Sequence, residues 1–126
     1  MFGKLLRHVL AVLTVVGALS LPGPGVQRAE AASVCSGRPV KAVGFRTGEL
    51  RIFKKRNLVC ALTVAKRPGA VRAMSVSLQP RGGRAVVDKG RFTRQAGPVT
   101  VHALNRCVRV SGAVAGKRAS TGWILC

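Results

Sequence analysis

Cys35, Cys60, Cys107 and Cys126 are the side chains whose type and number point to a definite chemistry. An even set of cysteines in a chain sent out of the cytoplasm pairs as two disulfides. Three connectivities are open. The nearest-neighbour set, Cys35–Cys60 with Cys107–Cys126, is the expected one, because it staples each end separately and ties down a terminus that would otherwise fray. Each ring adds about 3 kcal/mol, mostly by restricting the unfolded chain. A metal site is not expected. The spacings are far wider than a C-x2-4-C ligand pair, and His102 is the one histidine after the N-terminal segment.

The remaining reactive inventory is short. Beyond residue 31 the chain holds His102, Asp88, Glu49 and no tyrosine. A Ser-His-Asp triad would need both Asp88 and His102 beside one serine. His102 sits in an alternating apolar and polar segment whose phase directs it to solvent. A carboxylate pair would need Glu49 and Asp88 in one cleft. Asp88 in Asp88-Lys89-Gly90 reads as a turn residue bonding nearby amides. Gly82-Gly83 and the Ser111–Gly116 stretch do not lead from a strand into a helix, so neither is a phosphate loop. The expectation is a protein that is not an enzyme, with no cofactor and no small-molecule substrate.

The export assignment rests on the first 31 residues. Lys4 and Arg7 precede an apolar run from Val9 to Leu21, Pro22-Gly23-Pro24-Gly25 stops any helix, and Ala29-Glu30-Ala31 supplies the small residues of a cleavage site. The run is too short for a bilayer, which needs about 20 apolar residues, so no stable membrane span is expected. Residues 1–31 are therefore read as a secretory signal peptide and 32–126 as a single secreted domain. A domain this small gains from covalent cross-links.

Charge is the second strong feature. Removing Lys4, Arg7, Arg28 and Glu30 leaves 19 basic side chains against Glu49 and Asp88, a net charge of about +17. Such a field attracts polyanions, and it exceeds what solubility asks of a small domain. Lys54-Lys55-Arg56 is the one tight cluster. With Arg91 and Arg94 it forms the candidate polyanion-binding set. Sequence-specific nucleic-acid binding is not expected. Phe45, Phe53, Phe92 and Trp123 are the only aromatic residues after the signal, and they are read as interior packing rather than as base-stacking platforms. Trp123, close to Cys126, is expected to cover a disulfide.

These residues are carried by short alternating segments between turns. Val40–Arg46, Glu49–Lys54 and Asn57–Lys66 come first. Arg67-Pro68-Gly69 is a turn signal. In Val71–Gln79, Met74, Val76 and Leu78 alternate with Ser75, Ser77 and Gln79. Pro80–Gly83 turns the chain, Arg84–Asp88 resumes it, and Asp88-Lys89-Gly90 turns it again. Arg91–Gln95 is ended by Ala96-Gly97-Pro98. Segments around Val99–Leu104 and Arg106–Val110 follow. A Gly-rich stretch leads to Trp123-Ile124-Leu125. The pattern predicts an all-β sandwich or small barrel of seven to eight short strands.

From Met74 onward the order of short motifs is Val76-Ser77-Leu78-Gln79, Gly82-Gly83, Asp88-Lys89-Gly90-Arg91-Phe92-Thr93, Ala96-Gly97-Pro98-Val99, Asn105-Arg106-Cys107-Val108, Ser111-Gly112, Gly122-Trp123 and Cys126. This order resembles the spore-associated protein A family of small secreted actinobacterial proteins, with Cys35 and Cys60 fitting upstream. The chain departs from that pattern in having Thr93-Arg94-Gln95 before Ala96 and no tyrosine after the signal. The resemblance implies a non-enzymatic protein of the cell or spore envelope, secreted and retained at the wall or spore surface. With the charge, it suggests adhesion to anionic cell-wall or spore-surface polymers. Two other functions are open. A proteinase inhibitor could present Gln79-Pro80-Arg81-Gly82 or Gly116-Lys117-Arg118-Ala119. A cationic antimicrobial protein would act on anionic membranes.

Overall fold

Runs that alternate apolar with polar residues, such as Arg72–Pro80, form strands because they can bury one face and wet the other, whereas Leu58–Ala65 is apolar nearly throughout and is buried on both faces. A computed structural model describes residues 34–126. The strands are β1 (Arg38–Phe45), β2 (Gly48–Lys55), β3 (Leu58–Ala65), β4 (Arg72–Pro80), β5 (Val86–Phe92), β6 (Gln95–His102), β7 (Val108–Val114) and β8 (Lys117–Ile124). They form two antiparallel four-stranded sheets, β1-β2-β3-β6 and β5-β4-β7-β8. Val34–Cys126 is one compact unit. The segment expected to be a signal peptide, with its expected cleavage site, falls outside the described residues. Among the described residues, no helix is long and apolar enough to cross a membrane.

The two sheets share one core. Leu50, Ile52, Val59 and Ala61 of the first sheet meet Met74, Val76, Leu78, Val108, Val110 and Val114 of the second. Full burial of each large aliphatic side chain contributes roughly 1.5–3 kcal/mol. Phe45 and Phe92 pack on the rim of this core. Phe53 does not: it alternates outward with Glu49 and Arg51 while Leu50 and Ile52 point in. At the centre the sheets come so close that a Cβ on Gly112 of β7 would overlap Thr63 Oγ1 of β3. Thr63 is fully buried and its hydroxyl has no hydrogen-bond partner.

Both cross-links take the nearest-neighbour pairing. Cys35–Cys60 has an S–S distance of 2.06 Å and Cys107–Cys126 one of 2.05 Å. Two structural disulfides fit an oxidising compartment.

Three local expectations are corrected. Asp88-Lys89-Gly90 is no turn but the middle of β5, so the two segments expected on either side of it are largely one strand. Ser111–Val114 continues β7, since Gly112 is required where the sheets touch. The loop expected there shrinks to the two residues Ala115 and Gly116, both at positive φ, which suits a tight hairpin. Ala96-Gly97-Pro98 does not end a strand either. It is a bulge inside β6, where the pairing with β3 slips by one residue between Ala61 and Thr63. Pro98 is tolerated because β6 is an edge strand.

Candidate polyanion groove

The order β5-β4-β7-β8 brings together residues from distant parts of the sequence. Strand pairing sets Lys89 opposite Ser75, Ser75 opposite Ala113, and Ala113 opposite Arg118, so these four form one row across the sheet. The next row is Val87, Ser77, Ser111 and Ser120. On the other side Arg91 pairs with Ala73. The alternation that buries Met74, Val76 and Leu78 turns Ala73, Ser75 and Ser77 outward. The two central strands therefore offer a floor of small side chains, and the edge strands carry long cations.

The result is an open groove of about 670 Å³, floored by Ser75, Ser77 and Ser111 and walled by Lys89, Arg91 and Arg118. Lys89 and Arg118 lie three strand spacings apart, about 14 Å between backbones. Neither acidic side chain of the described residues is on this face. Glu49 lies on β2 and pairs with Arg51 at 2.6 Å. Asp88 points between the sheets and accepts a 2.7 Å hydrogen bond from the Gly97 amide.

At one end of the same face stands Trp123. It is opposite Arg109, and Arg109 is opposite Gln79. The Arg109 guanidinium lies 4.6 Å from the centre of the indole and that of Arg81 lies 5.3 Å from it. Arg109 Nη2 donates to Gln79 Oε1 at 2.9 Å, and Gln79 Nε2 donates to the Gly83 carbonyl at 3.1 Å. The Arg81 amide donates to the Cys107 carbonyl at 2.8 Å. Arg106 donates to the carbonyls of Arg81 and His102. Trp123 thus does not simply cover a disulfide, as expected from sequence. It is a half-buried ring overlaid by two arginines, and Arg81 Nη1 reaches to 4.0 Å from Cys107 Sγ.

The five cations expected from sequence are not brought together. Lys55 and Arg56 stand at the β2–β3 turn with Lys54 just before it, on the first sheet. Arg91 is on the groove wall. Arg94 is in the β5–β6 turn, beside Phe53 and Leu62 on the outer face of the first sheet. Sequence reasoning missed Lys89 and Arg118, the partners of Arg91. A second basic cluster gathers Arg46, Lys66, Arg67 and Arg72 at the β1–β2 and β3–β4 turns, with Arg72 held by the carbonyls of Arg67 and Ala70.

The reactive side chains remain apart. Glu49 and Asp88 belong to different sheets. His102 is exposed at the end of β6, five residues beyond the Gly97 that holds Asp88, a strand length of roughly 15 Å. Among the described residues, no three of His, Cys, Asp and Glu converge on a point that could hold a metal. Of the two loops suited to a proteinase, Lys117 and Arg118 are paired strand residues facing Val114 and Ala113. Pro80 is buried, and the exposed Arg81 lies over the Trp123 ring.

No family model, curated protein or solved structure matches this chain.

Proposed function

We propose that this chain is a secreted, non-enzymatic protein of the cell or spore envelope that adheres to anionic wall polymer through the outer face of its β5-β4-β7-β8 sheet. The observation that carries this reading is the acid-free groove: Lys89 and Arg91 face Arg118 across a floor of serine and alanine. Cations on edge strands with no carboxylate partner repel one another until an anion lies between them. The chain's overall positive charge speeds the encounter and the groove gives it a place to end. Export follows from the signal sequence and agrees with the two disulfides. Envelope and spore association follow from the resemblance to the spore-associated protein A family.

The test is retention on isolated cell walls across a salt series. Retention at 50 mM salt that falls steeply towards 500 mM is expected, because exposed charges more than a Debye length apart are screened. Retention that does not change with ionic strength would contradict the reading.

A further inference from the structure

The groove also distinguishes among polyanions. We infer that it takes a single extended chain whose charges sit on a backbone without aromatic rings, such as a phosphodiester-linked polyol, and that it is not a base-stacking nucleic-acid site. This rests on the adhesion reading above and narrows it.

The cationic walls on β5 and β8 stand three strand spacings apart, and Lys89, Arg91 and Arg118 line the groove from its two sides. That leaves room for one thread lying along the strands. The floor then selects the thread's chemistry. Ser75, Ser77 and Ser111 place hydroxyls where phosphate and polyol oxygens would pass, and a hydroxyl both donates and accepts. Arg91 and Arg118 can grip phosphate with paired N–H groups, while Lys89 acts as a point charge.

Single-stranded nucleic acid binds differently. Its sequence-tolerant affinity comes largely from bases stacked on aromatic rings beside the basic track. The groove floor has no aromatic side chain among the described residues that line it. Trp123 is the only tryptophan of the chain, and both Arg81 and Arg109 already lie over its ring. The guanidiniums occupy the surface a base would need, and Gln79 anchors one of them. The rings of Phe45 and Phe92 pack on the core, and Phe53 is on the other sheet.

The test compares two probes of matched charge on the folded, disulfide-bonded protein: inorganic polyphosphate and oligo-dT. Affinity is read by titration at several salt concentrations, and tryptophan emission is followed in parallel. Oligo-dT should bind no tighter than polyphosphate. Trp123→Leu should change both affinities by the same factor. Lys89→Ser/Arg91→Ser/Arg118→Ser should flatten the slope of log affinity against log salt by about 2 for polyphosphate, as expected for three lost phosphate contacts. Stacking would instead raise oligo-dT affinity roughly five-fold or more per engaged base. Oligo-dT binding ten-fold tighter than polyphosphate, with the advantage removed by Trp123→Leu, would overturn the inference and leave the polyanion reading standing. Failure of both probes to bind at 50 mM salt would overturn the adhesion reading itself.

Discussion

Asp88 on β5 and Gly97 on β6 are joined by a 2.7 Å hydrogen bond between two strands that belong to different sheets. The bulge at Gly97-Pro98 turns the Gly97 amide out of its own ladder, and the carboxylate of the neighbouring sheet receives it. One edge of the sandwich is closed by this contact. It also turns Asp88, one of the two acidic side chains among the described residues, away from the outer face of its sheet, so the groove there stays free of negative charge.

Asp88→Ala leaves that amide without its acceptor in a half-buried setting. The expected cost is about 1–3 kcal/mol. For a domain of this size each kcal/mol lowers Tm by about 4–8 °C. Asp88→Asn keeps an acceptor oxygen and should recover most of the loss in a thermal melt.

Gly112 and Thr63 meet where the two sheets pack directly against each other. Gly112→Ala should destabilise by about 1–3 kcal/mol, the usual range for overpacking a tight core. Thr63→Ala removes the atom that the new methyl meets. The double variant should therefore be more stable than the sum of the single changes implies, which a double-mutant cycle in urea would measure.

Each disulfide should be worth about 3 kcal/mol, since both close rings of similar length, with sequence separations of 25 and 19. Cys107→Ser/Cys126→Ser carries a further signature that Cys35→Ser/Cys60→Ser does not. It frees the end of β8 beside Trp123, so tryptophan emission should shift in the first pair and stay unchanged in the second.

Arg109→Ala should lower stability by only about 0.5–1 kcal/mol, the value of an exposed cation–π contact. Its emission change should be larger than that of Arg81→Ala, because the Arg109 guanidinium lies nearer the indole and is fixed by Gln79. Equal spectra for both variants would mean the two arginines are equivalent partners of the ring.

The strands were legible in the sequence because a two-residue period survives wherever one face is buried, as in Met74–Gln79. The nearest-neighbour disulfides were legible only as the preferred one of three pairings, because they staple each end separately. Asp88-Lys89-Gly90 misled because its composition is that of a turn, while the carboxylate's true partner is an amide on another strand. The groove was illegible for a different reason. Lys89 and Arg118 wall the same groove only because β4 pairs with β7, a choice made by the packing of the whole sandwich. Trp123 was hidden by register. A one-residue slip between Arg109 and Ser111 puts it on the same face as Arg118 and Ser120, although simple alternation from Arg118 would place it on the opposite one.

On the reading proposed above, a built groove and not net charge alone binds the polyanion. Two variants that each lose three positive charges separate these possibilities. One is Lys89→Ser/Arg91→Ser/Arg118→Ser in the groove. The other is Lys54→Gln/Lys55→Gln/Arg56→Gln at the β2–β3 turn, where the same number of cations lies on the other sheet, away from the groove. Titrated with inorganic polyphosphate at 150 mM salt, the groove variant should lose about ten-fold or more in affinity and the turn variant about three-fold or less, as expected when phosphate contacts outweigh the distant field. Equal losses in the two variants would contradict the account.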